Sequence, residues 1–245
     1  MKPVLLLIPG LLNSARVFDG VRAGLDPQLD VRVADVQTQS SLDTMALDAW
    51  GSLADVPAAQ PLVVAGYSMG GYVALQMLGK PRRQVQGLAL ICTSARADTP
   101  EGQTLRERAI GAMERDFGRY VGALLGFLVT PQRQADAALM ARIRDDMLAV
   151  GAATAIRQHR AVALREDRRA LLPQLDLIAH VIAAGADPVT PPALSSELAA
   201  AIPGAQLTLV DAVGHLLPFE RPAEVAACLS DLVSRVTRVA HRGST

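Results

Sequence analysis

The chain has 245 residues, of which half are apolar, a fifth are charged and 3% are aromatic. Lys and Arg together number 24, as do Asp and Glu, so no net field favours binding to nucleic acid or to an anionic membrane surface. The scarcity of aromatic residues also disfavours a base-stacking platform. Length and apolar content fit one large globular domain, or a core that carries an insert.

The N-terminal stretch has a charge at Lys2 and then an apolar run over residues 4–8, as a signal peptide would. It lacks a small-residue cleavage site, and Pro9-Gly10 interrupts the run, so the pattern favours a buried strand. No stretch approaches the roughly 18 consecutive apolar residues of a membrane-spanning helix. We therefore expect a cytoplasmic protein without a membrane partner.

The two cysteines, Cys92 and Cys228, fall in a predicted buried strand and in the last predicted helix. Neither belongs to a CxxC motif or a Cys/His cluster, so we interpret both as reduced core residues and expect no metal site. No nicotinamide or flavin motif is present, and no cofactor is expected.

Predicted strands and helices alternate along most of the chain. The apolar runs predict strands over residues 4–8, 31–35, 62–65, 87–92, 181–185 and 206–210. Helical spacing of apolar residues predicts helices over 15–25, 42–53, 69–78, 192–202 and 222–239, with Ser41 and Gly79 as caps and 241–245 as a frayed tail. This alternation predicts an α/β fold with a doubly wound, mostly parallel sheet.

The strand signal disappears between residues 94 and 175, where helical stripes are separated by Pro and Gly. This predicts a core formed by residues 1–93 and 176–245, with a helical insert over 94–175. The insert contains one long apolar stretch, 121–129, which suits a core or a pocket wall better than a partner-binding stripe.

One glycine-framed serine stands between a predicted strand and a predicted helix, in Gly66-Tyr67-Ser68-Met69-Gly70. A serine at such a corner needs a strained backbone, and side chains two residues away on either side would collide, which glycine avoids. The Gly-x-Ser-x-Gly pattern alone is weak, and a tight turn with a surface serine is the alternative. The strand before it and the helix after it favour a nucleophile elbow with an exposed Ser68 hydroxyl.

A serine nucleophile needs a base and a carboxylate, and two later loops provide them. Asp187 and His215 each follow a predicted strand, at the edge where α/β sheets place ligands. His159, in the insert, and His180, directly before a strand, lack this loop context. Asp98 lies just beyond another strand and could in principle supply the carboxylate instead.

The chain order Ser68, Asp187, His215 and the surrounding motifs resemble the α/β-hydrolase family. The chain is most similar to small bacterial esterase-like members with a helical cap after the strand that follows the elbow. The resemblance implies that Ser68 is the nucleophile, that His215 is the general base and then acid, and that Asp187 orients the imidazole.

The same resemblance implies an oxyanion hole formed by the backbone N–H groups of Leu11 and Met69. The first loop begins with Pro9-Gly10, where the family commonly has His-Gly. Proline has no N–H, but the expected donor lies two residues further on, so the departure affects the geometry of the loop and not the presence of the donor.

The expected function is a serine hydrolase that cleaves a carboxylic ester or thioester of a small to medium, largely apolar acyl group. A lyase with the same residues, or a catalytically idle ligand-binding member of the fold, are the alternatives. The expected partner is a small molecule. Leu124, Leu125 and Phe127 are expected to face the acyl pocket, unless they only hold the helices of the insert together.

Overall fold

A computed structural model describes residues 2–242 and contains one six-stranded, wholly parallel sheet. Its strands, in the spatial order β2-β1-β3-β4-β5-β6, are β1 (Val4–Ile8), β2 (Asp30–Val33), β3 (Leu62–Tyr67), β4 (Gly87–Ile91), β5 (Ile178–Ala184) and β6 (Gln206–Val210). The central strands are buried on both faces, which explains their continuous apolar runs. The edge strands β2 and β6 are partly exposed.

Helices connect the strands and cover both faces of the sheet. They are α1 (Asp19–Ala23), α2 (Leu42–Gly51), α3 (Met69–Gly79), α4 (Pro100–Arg115), α5 (Phe117–Leu128), α6 (Pro131–Gln134), α7 (Ala137–Val150), α8 (Ala152–Ala163), α9 (Pro192–Ala201), α10 (Leu217–Glu220) and α11 (Pro222–Arg242). Two 3₁₀ helices, Ala15–Phe18 and Arg169–Gln174, complete the set for the described residues. The predicted α/β class with a parallel sheet is confirmed.

Alternate residues of β1 enter two different apolar layers. Leu5 and Leu7 pack with residues of α1 and α11, whereas Val4, Leu6 and Ile8 pack with residues of α2 and α3. The first layer also includes residues of α5 and α7, so the apolar core runs without a break into the segment between β4 and β5. That segment contains α4 to α8 and the second 3₁₀ helix, which are separated by loops.

The structure differs from the sequence predictions at several element ends. Strand β5 begins at Ile178, so His180 lies within the strand and not before it. The Nε2 atom of His180 lies within hydrogen-bond distance of the Thr208 hydroxyl, at 2.9 Å. Gly79 is the last residue of α3 and not its cap; the cap is Lys80, whose backbone has φ −135° and ψ 64°. Cys92 follows β4.

The first and last helices also differ from their predicted ranges. Predicted helix 15–25 is a 3₁₀ turn followed by the short α1. Helix α11 continues through Arg242, so two residues of the predicted frayed tail are helical, and the other three lie outside the described residues. Across residues 2–242, no helix combines the length and apolar content that crossing a bilayer would require.

Candidate active site

Ser68 forms a one-residue corner between β3 and α3. Its backbone has φ 51° and ψ −115°, a region that side chains seldom adopt and that costs of order 1–3 kcal/mol. A Cβ on Gly66 would lie 2.3 Å from the carbonyl oxygen of Gly70, and a Cβ on Gly70 would lie 2.0 Å from that of Ile8. The two framing glycines therefore permit this corner, as the sequence pattern predicted.

Three side chains from separate loops form a continuous hydrogen-bonded chain. The Ser68 hydroxyl lies 2.9 Å from His215 Nε2, and His215 Nδ1 lies 2.7 Å from Asp187 Oδ2. An N–H at Nδ1 donates to the carboxylate and leaves Nε2 free to accept the serine proton. The structure thus brings together the three residues that the sequence singled out.

The Asp187 carboxylate is buried and receives four hydrogen bonds. Oδ1 accepts from the backbone N–H groups of Val189 and Thr190, and Oδ2 accepts from the Thr190 hydroxyl as well as from His215. Burial alone would raise the pKa of Asp187, but the hydrogen bonds from His215 and Thr190 outweigh it and lower the pKa below the ordinary value. The carboxylate is therefore ionised at neutral pH.

Asp98, the alternative carboxylate, is used elsewhere. Its two oxygens bind Arg106 at 2.6 Å and Arg165 at 3.0 Å. The partner of His215 in this structure is therefore Asp187.

Two hydrogen bonds hold the His215 loop in place, one from β3 and one to the segment between β4 and β5. The Tyr67 hydroxyl donates to the carbonyl oxygen of His215 at 3.0 Å, and the His215 N–H donates to the carbonyl oxygen of Leu128 at 2.9 Å. A Cβ on Gly214 would lie 2.2 Å from the Leu128 carbonyl oxygen, so this close contact requires glycine. Sequence reasoning had assigned no role to Gly214.

The two expected oxyanion donors border the same cavity as Ser68. Met69 is the first residue of α3, so its N–H has no acceptor within the helix. The Leu11 N–H lies in the loop after β1 and donates to no backbone or side-chain group of residues 2–242. Both N–H groups are thus available to a substrate oxygen.

Two buried side chains of the segment between β4 and β5 hold this first loop, and sequence reasoning missed both. Leu12 has a positive φ of 60°, and its N–H donates to Gln158 Oε1 of α8 at 2.9 Å. Gln158 Nε2 donates in turn to the Val36 carbonyl oxygen at 3.0 Å. Asp146 of α7 accepts hydrogen bonds from the N–H and the hydroxyl of Ser14. The only sequence signal was a polar side chain on the apolar face of each helix.

The cavity above Ser68 has a volume of about 130 Å³ and is bounded by both the core and the segment between β4 and β5. Its lining residues are Leu11, Asn13, Tyr67, Ser68, Met69, Tyr72, Arg106, Tyr120, Leu124, Leu128, Met147, His159, Val162, Val189, His215 and Leu216. A cavity of this size and composition suits a small acyl group.

The structure places the three predicted pocket residues of α5 in different surroundings. Leu124 lines the cavity, and Leu128, four residues later on the same helical face, lines it too. Leu125 is instead buried in the core, and the Phe127 side chain is 58% exposed. A helix turns by about 100° per residue, so neighbouring positions cannot all face one cavity.

Known proteins are similar to this chain in both sequence and fold. A family model described as alpha/beta hydrolase family matches residues 5–228. A pimeloyl-(acyl-carrier protein) methyl ester esterase from Neisseria meningitidis serogroup C is 30% identical over 185 residues, which cover 72% of this chain and 72% of the relative. An enzyme of the same name from Aromatoleum aromaticum is 28% identical over 254 residues, covering 95% of this chain and 98% of the relative.

A thermophilic esterase from Thermogutta terrifontis, solved with malate bound, has the same fold with a TM-score of 0.85 and 26% identity, covering 96% of this chain and 90% of that chain. The expectation of an esterase-type hydrolase is confirmed at this level. The chain belongs to the alpha/beta hydrolase family.

Proposed function

We propose that this chain hydrolyses a carboxylic ester of a small to medium acyl group through an acyl-enzyme on Ser68. One observation carries the proposal: the unbroken hydrogen-bonded chain from Ser68 through His215 to Asp187, at a strained corner that opens into a cavity. A strained backbone at such a site is typical of catalytic residues.

In the first half of the reaction, the Ser68 hydroxyl attacks the ester carbonyl carbon while its proton passes to His215 Nε2. Negative charge develops on the carbonyl oxygen, and the N–H groups of Leu11 and Met69 stabilise it. The ionised Asp187 stabilises the imidazolium that forms. The bond from the carbonyl carbon to the alkoxy oxygen then breaks, and His215 gives its proton to the departing alcohol.

In the second half, water attacks the acyl-enzyme and passes one proton to His215. Collapse of this second tetrahedral intermediate breaks the bond to Ser68 Oγ, which takes the proton back from His215. The products are an alcohol and a carboxylic acid, which ionises at neutral pH. No step requires a group from outside the chain other than substrate and water.

The names of the relatives support the substrate class. They are methyl ester esterases, so we propose that an ester of a small alcohol is the substrate of this chain, in preference to a thioester. We also propose that residues 94–175 act as a cap domain over a hydrolase core of residues 1–93 and 176–245, because α4, α5, α7 and α8 supply one wall of the cavity. The cytoplasmic location remains a prediction from the sequence.

A fluorophosphonate probe tests the nucleophile. Wild-type protein should form a covalent adduct that peptide mass spectrometry assigns to Ser68, and incubation with a short ester should yield the acyl-enzyme. The Ser68→Ala variant should lose labelling and several orders of magnitude of kcat. Ser196→Ala, at an exposed serine on α9, is the matched control and should behave as wild type. Equal labelling of the Ser68→Ala variant would overturn the assignment.

A further inference from the structure

A polar cluster stands in the part of the cavity wall that residues 94–175 supply. It consists of Arg106 on α4, Tyr120 on α5 and His159 on α8, and we call it the Arg106 cluster. The mechanism proposed above uses none of the three. Three polar side chains lower the affinity of such a cavity for a purely apolar acyl group. Their presence therefore indicates a ligand that carries groups able to bind them.

Arg106 gives this cluster a positive charge. It is the only Asp, Glu, Lys or Arg among the described residues that line the cavity. Its Nε binds Asp98, but Asp98 also pairs with Arg165, so one carboxylate balances two guanidinium groups. The two Nη groups of Arg106 donate to no residue between 2 and 242. One positive charge and unused donors therefore remain at the cavity wall.

His159 adds a polar atom that lacks a partner. The residue is 7% exposed, and its Nδ1 is buried without a hydrogen bond to any described residue. Its Nε2 lies 3.5 Å from the Tyr120 hydroxyl, at the limit of a hydrogen bond. Burial, together with the charge of Arg106, lowers the pKa of His159 to about 4. The neutral ring then offers an N–H donor without adding a second charge.

We propose that the Arg106 cluster binds a carboxylate carried by the acyl part of the substrate. The preferred substrates are then half esters of short dicarboxylic acids, with the ester at Ser68 and the free carboxylate at Arg106. A guanidinium fork matches a carboxylate in shape and charge, and the partial exclusion of water strengthens the pair. This inference rests on the proposed esterase function and specifies its substrate.

Three methyl esters of matched chain length test the inference: the monomethyl ester of a dicarboxylic acid, the dimethyl ester of the same acid, and the methyl ester of the corresponding alkanoic acid. The dicarboxylic acids used range in length from succinate to pimelate. The wild type should show a kcat/KM for the half ester at least about tenfold above those for the two neutral esters, because only the half ester makes a charge-assisted hydrogen bond.

Substitution of Arg106 should remove this preference. Arg106→Gln should lower kcat/KM for the half ester about 10- to 100-fold, mainly through KM, and leave the neutral esters within about threefold, because the lost contact lies away from the reacting bond. Arg106→Lys keeps the charge and should retain part of the preference. Arg108→Gln, at an exposed arginine of the same helix, is the control and should change nothing.

A measurement on the wild type does not depend on the folding of a variant. Glutarate should protect Ser68 from fluorophosphonate labelling at concentrations where butyrate does not. Equal protection, equal use of the three esters, or a uniform loss across them in Arg106→Gln would overturn the inference, since a purely structural ion pair with Asp98 predicts the last result. Failure of the esterase proposal would look different, because Ser68 would then neither label nor turn over any ester.

Discussion

The side chain of Gln158 accepts a hydrogen bond from the backbone N–H of Leu12 at 2.9 Å, although the two residues lie 146 positions apart in the chain. Leu12 follows the proposed oxyanion donor Leu11 and has a positive φ. Gln158 therefore stabilises a strained loop whose conformation decides where the Leu11 N–H points.

Gln158→Leu should lower kcat by about 10- to 100-fold with little change in KM, because a displaced Leu11 N–H weakens stabilisation of the transition state more than binding of the substrate. The variant should also lose about 1–3 kcal/mol of unfolding free energy, since the Leu12 N–H stays buried without an acceptor. Steady-state kinetics and chemical denaturation measure both effects. Gln174→Leu, at an exposed glutamine, is the control; an equal effect there would contradict the role of Gln158.

Asp187→Asn and Asp98→Asn should separate catalysis from stability. Asp187→Asn should lower kcat by about 10⁴, since it removes the charge that stabilises imidazolium and the acceptor that selects the tautomer. Asp98→Asn should leave the three-residue hydrogen-bonded chain intact but reduce the unfolding free energy by about 3 kcal/mol, because two guanidinium groups lose their buried partner. The reverse ranking of kcat would assign the catalytic carboxylate to Asp98.

The ionised Asp187 should also stabilise the fold in a pH-dependent way. Its pKa lies below the ordinary 3.8, so its contribution is present above pH 3.8 and is lost as the pH falls through the value in the folded protein. The difference in Tm between wild type and Asp187→Asn should therefore shrink between pH 6 and pH 3. A constant difference across that range would show that the carboxylate titrates alike in both states.

Glu220 should show the opposite dependence. Its side chain is buried on α10, and this burial raises its pKa above the ordinary 4.5, although the nearby guanidinium groups of Arg133 and Arg221 act in the opposite direction. The folded state then holds the proton more tightly than the unfolded state, so stability falls as the pH rises through this range. Glu220→Gln should raise Tm at pH 8 and have no such effect at pH 4; thermal unfolding at both values measures this.

Three neighbouring residues of α5 should respond differently to truncation. Leu124→Ala should change the ratio of kcat/KM values between short and longer acyl esters, because Leu124 lines the cavity. Leu125→Ala should instead cost about 2–5 kcal/mol of stability at an unchanged ratio, as a core truncation does. Phe127→Ala, at an exposed position, should stay within about 0.5 kcal/mol of wild type. A changed ratio in Leu125→Ala would place that residue at the substrate.

Local sequence signals were enough for the sheet and for the three residues of the hydrogen-bonded chain. Buried parallel strands have continuous apolar runs. The corner at Ser68 is indicated by Gly66 and Gly70, where an added Cβ would clash with the backbone. Asp187 and His215 could be placed because parallel strands end at one edge of a sheet. These inferences require only the order of elements along the chain.

The pocket and its supports could not be predicted in the same way. Which face of α5 meets the cavity depends on how that helix packs, and the apolar residues around Leu124 and Leu125 are alike in sequence. Gln158 and Asp146 accept hydrogen bonds from backbone N–H groups that lie 146 and 132 positions away in the chain. A polar side chain on a helix shows its partner only when tertiary packing is known.

The hydrogen bonds from the helical segment to both loops bear on how substrate reaches Ser68. The carbonyl oxygen of Leu128 accepts a hydrogen bond from the His215 N–H, and Gln158 Oε1 accepts one from the Leu12 N–H. A hinge motion that lifted the whole segment would break both bonds and pull apart the groups that perform the chemistry. We therefore expect substrate to enter and product to leave through small side-chain movements, while the backbone of the helical segment stays in place. The width of this passage, and not the rate at which a lid opens, should then decide which alcohol groups of the ester are accepted.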